Sequence, residues 1–441
     1  MLDCNIFSAT LRHPRKRGDD VLVCAICKNT RERMHNAPFH KENKINKTNI
    51  TYVNQLSFLV NPVIYTEMKT ILFTILALLA YTGDDEAKVK PIYDIDFKYL
   101  FHNREFMYSK DAYSASGTFN GMLLTPSVGL DYNTGNIEHN FRLGYEFLYN
   151  CGEHNYRQIP QEPIAYYKAT RRTELDEMSI TAGIFPRSLV SEEYSEAVWS
   201  DSLRVYDRQI EGLLLNYRSE TFRSELGCDW MELYGDNHRE RFNIFTSGYM
   251  SLFNAPSADG RKTFDLSLDW QMSYFHYANY YYTPGEIVTP GVADNGLINP
   301  YVKAEYETVG ALRRAYVTAG AMIGYQWERR QQEKASMPLG FQSVTMVQIK
   351  NFHIKNTLYL GQDQMPIYKM HDMDGNKYCN NLYFGQAFYR AGFFDKVEAA
   401  WNKKIGKYLT LGLGADLYFH EQGFAGWVQN FSLRFDFSNA R

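Results

Sequence analysis

No stretch of this chain is long and apolar enough to cross a bilayer as a helix. The longest apolar run, Ile71–Ala80, has ten residues where about 20 are needed. Mean hydropathy over the whole chain is −0.42. Charge of one sign is missing too: a formal net charge of −3 over 441 residues supplies no basic footprint for nucleic acid. Cysteine is sparse. Three of the six lie before residue 30, and Cys151, Cys228 and Cys379 are too scattered to make a disulfide framework. Cys24-x-x-Cys27 is followed by His35 and His40, with only seven residues between Cys27 and His35 against about twelve in a zinc finger. No metal site or cofactor is expected from it. The sequence also lacks any recognisable nucleophile motif.

What is abundant is aromatic: 34 Tyr, 28 Phe and 6 Trp, together 15% of the chain. From about Ile92 to Phe437 these rings fall into runs that alternate apolar and polar. In residues 137–149, Ile137, Phe141, Leu143, Tyr145, Phe147 and Tyr149 share one side, while Glu138, Asn140, Arg142, Gly144 and Glu146 share the other. Phe264, Leu266, Leu268, Trp270, Met272 and Tyr274 repeat the stripe, with Thr263, Asp265, Ser267, Asp269, Gln271 and Ser273 between them. Leu409, Leu411, Leu413, Ala415, Leu417 and Phe419 do so again. Successive strand side chains point to opposite faces, so such segments present one face to lipid and one to water. Repeated over a long chain, this predicts an all-β fold: a transmembrane antiparallel β-barrel. Low hydropathy does not count against it, because half of each spanning strand is polar.

Eighteen candidate strand segments lie between 91 and 437, among them 115–124, 126–133 and 381–391. Bacterial barrels have even strand numbers, so about 16 strands are expected, with 14 and 18 as neighbours. Short turns at Asn133-Thr134-Gly135-Asn136, Arg218-Ser219-Glu220 and Lys404-Ile405-Gly406 belong on the periplasmic side, and the longer segments 186–206, 278–296, 329–339 and 362–380 outside. Phe431, Leu433, Phe435 and Phe437 alternate with polar residues in the last strand, which resembles the aromatic-ended strand presented to the barrel-assembly machinery.

Met68-Lys69-Thr70, the apolar run to Ala80 and the polar Tyr81-Thr82-Gly83 read as a signal peptide over 68–83, cleaved within Ala80–Glu86. Residues 1–67 precede it, carrying 10 Lys/Arg against 6 Asp/Glu. They are expected to be disordered or an upstream extension, with Met68 the true initiator. The barrel then occupies 84–441, where 36 basic residues meet 44 acidic ones.

Charges inside strands should face the lumen, because one facing lipid at mid-bilayer costs about 2–4 kcal/mol. The lumen-facing candidates are Arg104, Glu105, Arg142, Glu146 and Arg313. Arg313 and Arg314, like Arg329 and Arg330, also lie near strand ends, where headgroup contact explains them equally well. Tyr280, Tyr281 and Tyr282 are external-loop aromatics suited to packing into the barrel mouth or stacking on sugars. Candidates for hydrolytic chemistry are His276, His371 with Asp372 and Asp374, and Ser200-Asp201-Ser202. Asp372-x-Asp374-Gly375 is half a calcium loop and reads better as a turn.

The signal peptide, the Tyr/Phe-rich strands and the aromatic last strand, with Phe101-His102-Asn103-Arg104-Glu105-Phe106, Ala182-Gly183-Ile184-Phe185-Pro186-Arg187 and Cys228-Asp229-Trp230, resemble porin-like outer-membrane β-barrels of Bacteroides-type Gram-negative bacteria over residues 68–441. The resemblance implies an outer-membrane location and no catalytic constellation. The expectation is therefore a non-enzymatic channel passing small hydrophilic solutes, in contact with outer-membrane lipid, with a homo-oligomer left open. The alternatives are a non-conducting barrel that binds a glycan or partner, and a barrel hydrolase.

Overall fold

In the computed structural model sixteen antiparallel strands close into one barrel, each pairing with its neighbours in sequence and the last with the first. They are β1 (Lys90–Phe106), β2 (Gly117–Thr134), β3 (Ile137–Asn150), β4 (Gln161–Arg172), β5 (Asp176–Pro186), β6 (Gln209–Ser219), β7 (Phe222–Glu232) and β8 (Arg241–Pro256). The second half holds β9 (Lys262–Ala278), β10 (Val292–Thr308), β11 (Leu312–Glu328), β12 (Leu339–Ile349), β13 (Phe352–Gly361), β14 (Phe393–Ile405), β15 (Leu409–His420) and β16 (Gly423–Ser438). The structure describes residues 89–107, 113–152, 161–190, 194–201, 203, 207–233, 239–257, 262–278, 291–372 and 375–438. The expected signal peptide, the 1–67 extension, Tyr280, Tyr281, Tyr282, Ser202 and Asp374 lie outside them.

Eighteen segments become sixteen strands for two reasons. Segments 115–124 and 126–133 are the two halves of β2, which runs on through Pro126. Segment 381–391 is not a strand: it lies in the connection between β13 and β14 and contains the 3₁₀ turn Ala387–Arg390. Its Leu382, Tyr383, Phe388 and Tyr389 are buried inside the barrel, so their apolar surface never serves as a lipid face.

The short turns gather at one end with the chain's entry at Lys90 and its exit at Ser438. Gly135 and Gly406 take φ of 61° and 65° there, a conformation that costs glycine nothing. The opposite, loop end carries the connections 187–208, 279–291, 329–338 and 362–392. Closure pairs Phe97 with Phe435 and Tyr99 with Leu433 between β1 and β16.

The wall follows the alternation. On β9, Phe264 and Leu268 are exposed outward, while Ser267, Asp269, Gln271 and Ser273 are buried inward. At the loop end the pattern reverses. Phe275 and Tyr277 of β9 turn inward and are buried, as are Phe185, Phe245, Tyr359, Phe394 and Tyr418 on other strands. They form the rim of an apolar core inside the barrel, filled by two inward-folded connections, 187–208 and 362–392. At the level of the plug the inner wall thus offers apolar surface beside the charged groups that anchor the plug, and toward the turn end it is polar.

Candidate active site on the outer wall and the plug in the lumen

Where β9 and β10 approach the loop end, the outward face of the wall turns polar. His276 and Asp294 are cross-strand partners, in a row that continues from Phe242 on β8 to Trp327 on β11. Side chains so placed on one face are close enough to interact. His276 Nδ1 lies 2.8 Å from Asp294 Oδ1. Two further donors fix the carboxylate: the Tyr274 hydroxyl at 2.9 Å and Arg329 Nη2 at 2.8 Å. Asp294 is fully buried under these partners, whereas His276 keeps 19% of its side chain exposed. The imidazole stacks on Phe242 at 4.9 Å and 21°, and Phe242 stacks on Trp230 at 5.1 Å and 23°. On the other flank Arg329 lies over the Trp327 ring at 5.0 Å.

This arrangement has the parts of a general base. A carboxylate accepting from Nδ1–H fixes the ring and its tautomer, which leaves Nε2 to take a proton. Aromatic rings to either side give the pair an apolar surround. His276 was singled out from the sequence as a hydrolytic candidate; Tyr274 was read there as a lipid-facing ring and Arg329 as a headgroup charge, and Asp294 was not named, because the four come together only through the pairing of β9 with β10 and β11.

The other hydrolytic candidates serve structure. The His371 carbonyl accepts from Arg330 and Gln331. Asp372 takes Arg239 Nη1 at 3.0 Å and accepts the Asn376 N–H at 2.9 Å, the turn chemistry expected of it. Ser200 donates its backbone N–H to Phe384 O.

The charged lumen candidates divide. Arg104 and Glu105 are adjacent on β1 and point to opposite sides of the wall, so only one of them lines the lumen. Arg104 shares its side with Phe106, which packs on Phe388 of the plug. Glu105 shares its side with Phe101 and accepts from the Trp427 indole, so its expected lumen position is corrected. Glu146 faces inward and binds Arg208. Arg142, on the same side of β3, lies beside Tyr166, an inward-facing residue of β4. Arg313 is exposed at a register shift between Leu312 and Arg314, at the turn end. Its neighbour Arg314, on the opposite, inward face of β11 by plain alternation, is the one that pairs with Glu305 of β10.

Inside the barrel, connection 187–208 is held at both feet. Arg187 Nη2 meets Asp229 of β7 at 2.9 Å, and Arg208 binds Glu146 of β3 and, at 3.3 Å, Glu162 of β4. Its middle meets the fully buried Lys396 of β14, which binds Glu196, Asp201 at 3.1 Å, Glu398 at 3.3 Å and Asp416 at 3.7 Å. Ligand atoms of Glu196, Asp201 and Glu398 lie within 4.8 Å of one another, the spacing of a cation site. The Lys396 ammonium already stands among them as the cation. Burial lifts the Glu196 carboxyl to about 7 against the opposing pull of Lys396.

Among solved structures the chain is similar in fold to Pseudomonas putida OprB, at 9% identity and a TM-score of 0.43 over 79% of this chain and 94% of that one. It is also similar to Salmonella typhi OmpF, at 9% identity and a TM-score of 0.41 over 80% and 98%. No curated protein matches the sequence. A family model described as Lipid A 3'-O-deacylase-type matches residues 93–440. That match overturns the expectation of a non-enzymatic chain, since the family carries an enzyme's name; the expectation failed because the catalytic candidates are scattered in sequence and carry no motif. Matched across essentially the whole barrel, the chain belongs to the lipid A 3'-O-deacylase-type family.

Proposed function

We propose that this barrel hydrolyses an acyl ester of an outer-leaflet lipid, lipid A on the family's name, with His276 as general base and Asp294 as its orienting partner. The observation that supports this reading is the pairing of the two on the lipid-facing side of the wall, within a row of aromatic rings. In barrels such rings mark the boundary between headgroup and hydrocarbon. An ester that joins an acyl chain to a sugar headgroup lies at the same depth, so the substrate reaches the dyad by lateral diffusion.

The chemistry is that of water addition. Nε2 of His276 takes a proton as the water oxygen adds to the ester carbonyl, and returns it to the departing sugar oxygen. A fatty acid and a free hydroxyl result. The row of Trp230, Phe242 and His276 offers the departing acyl chain an apolar surface.

The test is fatty-acid release from lipid A vesicles by the purified barrel. His276→Gln is expected to lower the rate by about 10²–10⁴-fold, the usual contribution of a general base. An unchanged rate in that variant overturns the assignment.

The same reading places the protein in the outer membrane, the long connections outside, inserted through the last strand with Phe435 and Phe437. A second reading, diffusion of small hydrophilic solutes through the lumen, is supported by the polar inner wall toward the turn end, where Lys303, Glu305 and Arg314 meet. The two readings use opposite sides of one wall and do not compete.

A further inference from the structure

The dyad stands near the ends of its strands. His276 is two residues from the end of β9 at Ala278, and Asp294 two residues from the start of β10 at Val292. Segments beside loops open most easily, yet a catalytic pair must be held to about 0.5 Å. What stiffens the wall at this level lies on its inner face.

The outward rung of His276, Asp294 and Trp327 runs between two inward rungs. On the turn side these are Phe275 of β9, Asn295 of β10 and Gln326 of β11; on the loop side, Tyr277, Ala293 and Glu328. Three consecutive residues of connection 362–392 meet the first of these rungs, one strand each. Phe384 packs edge-on against Phe275 at 5.0 Å and 84°. The Leu382 carbonyl accepts from Asn295 Nδ2 at 3.0 Å. The Tyr383 hydroxyl donates to Gln326 Oε1 at 2.7 Å. Gln326 Nε2 in turn donates to Asn295 Oδ1 at 2.5 Å and to Gly296 O at 3.4 Å, tying β10 to β11 by side chains as well as by the ladder. Tyr378 meets the second rung: its ring lies 6.0 Å from that of Tyr277, and its hydroxyl bonds Glu328. Arg239 Nη1 joins the Tyr277 hydroxyl, at 2.9 Å, to Asp372 of the same connection.

The gripping residues are themselves fixed. Leu382 and Tyr383 both donate their backbone N–H to Cys379 O beside the turn Cys379–Asn381, and Phe384 O accepts from Ser200. Phe275, Ala293, Gln326, Leu382 and Tyr383 are at most 2% exposed, so these contacts are sealed from lipid. Successive side chains alternate. Holding residues 275, 277 and 295 from inside therefore fixes the backbone from which His276 and Asp294 project outward.

We propose that plug residues 378–384 are a brace that positions the His276–Asp294 pair through the wall, so that hydrolysis outside depends on packing inside. This rests on the hydrolytic reading above. Asn295 and Tyr383 are positioning residues, since their side chains face away from the outer surface where substrate arrives. A displacement of about 1 Å at a catalytic pair is enough to cost roughly a hundredfold in rate.

The experiment follows fatty-acid release from lipid A vesicles over a range of substrate concentrations. It uses the purified full chain, each variant first checked for a folded barrel by heat-modifiable gel mobility. Tyr383→Phe keeps the ring and removes the hydroxyl from Gln326 and the Ile367 backbone; Asn295→Leu removes both bonds of that side chain. Tyr194→Phe is the comparison, because it cuts a plug-to-wall bond to Glu225 of β7, away from the dyad. The expected result is kcat lowered severalfold by Tyr383→Phe and at least about tenfold by Asn295→Leu. KM should stay unchanged, and Tyr194→Phe should keep the wild-type rate. On an Asp294→Asn background either brace variant should cost less than about twofold further, because the pair it positions is already lost.

Wild-type kcat in folded Tyr383→Phe and Asn295→Leu overturns the brace and leaves the dyad standing. So does an equal loss in Tyr194→Phe, or a full further loss on the Asp294→Asn background, either of which marks damage to the fold at large. If Asn295→Leu does not fold, Tyr383→Phe alone and with Asp294→Asn decides. A wild type that releases no fatty acid overturns the brace together with the hydrolytic reading.

Discussion

His276 on β9 and Asp294 on β10 face each other across one rung of the sheet, ring nitrogen to carboxylate oxygen at 2.8 Å, on the side of the wall turned to lipid. A fully buried carboxylate on that side is expensive unless it is hydrogen-bonded. Here three donors reach it: His276, Tyr274 and Arg329. On the function proposed here the pair is a base and its orienting partner, carried on the outward face of the wall.

Asp294→Asn keeps the shape of the site and removes the acceptor charge that fixes the His276 tautomer. Hydrolysis is expected to fall at least about 10²-fold. Tyr274→Phe removes one donor from the carboxylate, a loss of about 1.5 kcal/mol and so roughly tenfold in rate. Initial rates of fatty-acid release on matched, heat-modifiable proteins measure both.

Arg187 and Asp229 form a buried pair, each about one-twentieth exposed, with Asp207 a second partner at 3.3 Å. Asp229→Ala leaves the guanidinium with the Asp207 carboxylate and the backbone carbonyls of Asp207 and Gln209. The expected loss of stability is about 3 kcal/mol, at the low end for a broken buried pair because Asp207 remains. The midpoint of urea unfolding reads it.

The hold on connection 187–208 should loosen as the pH rises. Glu196 has its carboxyl raised from 4.5 to about 7 by burial, with Asp201 and Glu398 adding to the rise and Lys396 and Lys355 opposing it. The native state therefore holds a proton there that the unfolded chain releases at lower pH. The stability this contributes is present in full below about 4.5 and is lost as pH rises through about 7. Protease resistance of 187–208 should be greater at pH about 6 than at about 8, and Glu196→Gln should flatten the difference. An opposite slope contradicts the assignment.

Much of the wall was legible in the sequence because strand alternation is local: Leu266 and Ser267 declare their sides without reference to anything else. The even strand number and the short turns followed from the same signal. The plug did not declare itself, because Tyr383 and Phe388 are apolar for the same reason as a lipid-facing residue, namely removal from water. One sign was present in β9. After Ser273 the alternation inverts, with Phe275 and Tyr277 inward and His276 outward among apolar neighbours. The inversion marks the level where the plug begins inside and the dyad sits outside. Arg314 was named with Arg313 as a strand-end charge, but its ion pair with Glu305 follows only from the pairing of β10 with β11. Lys396 was missed because its four carboxylates come from three separate segments.

The central claim is tested most directly by mass spectrometry of lipid A extracted from cells that make the wild-type protein, His276→Gln, or neither. The account predicts a lipid A species lighter by one acyl chain with the wild type alone, and intact lipid A with the variant and the empty control. The same deacylated species from His276→Gln cells, or intact lipid A from all three, contradicts it.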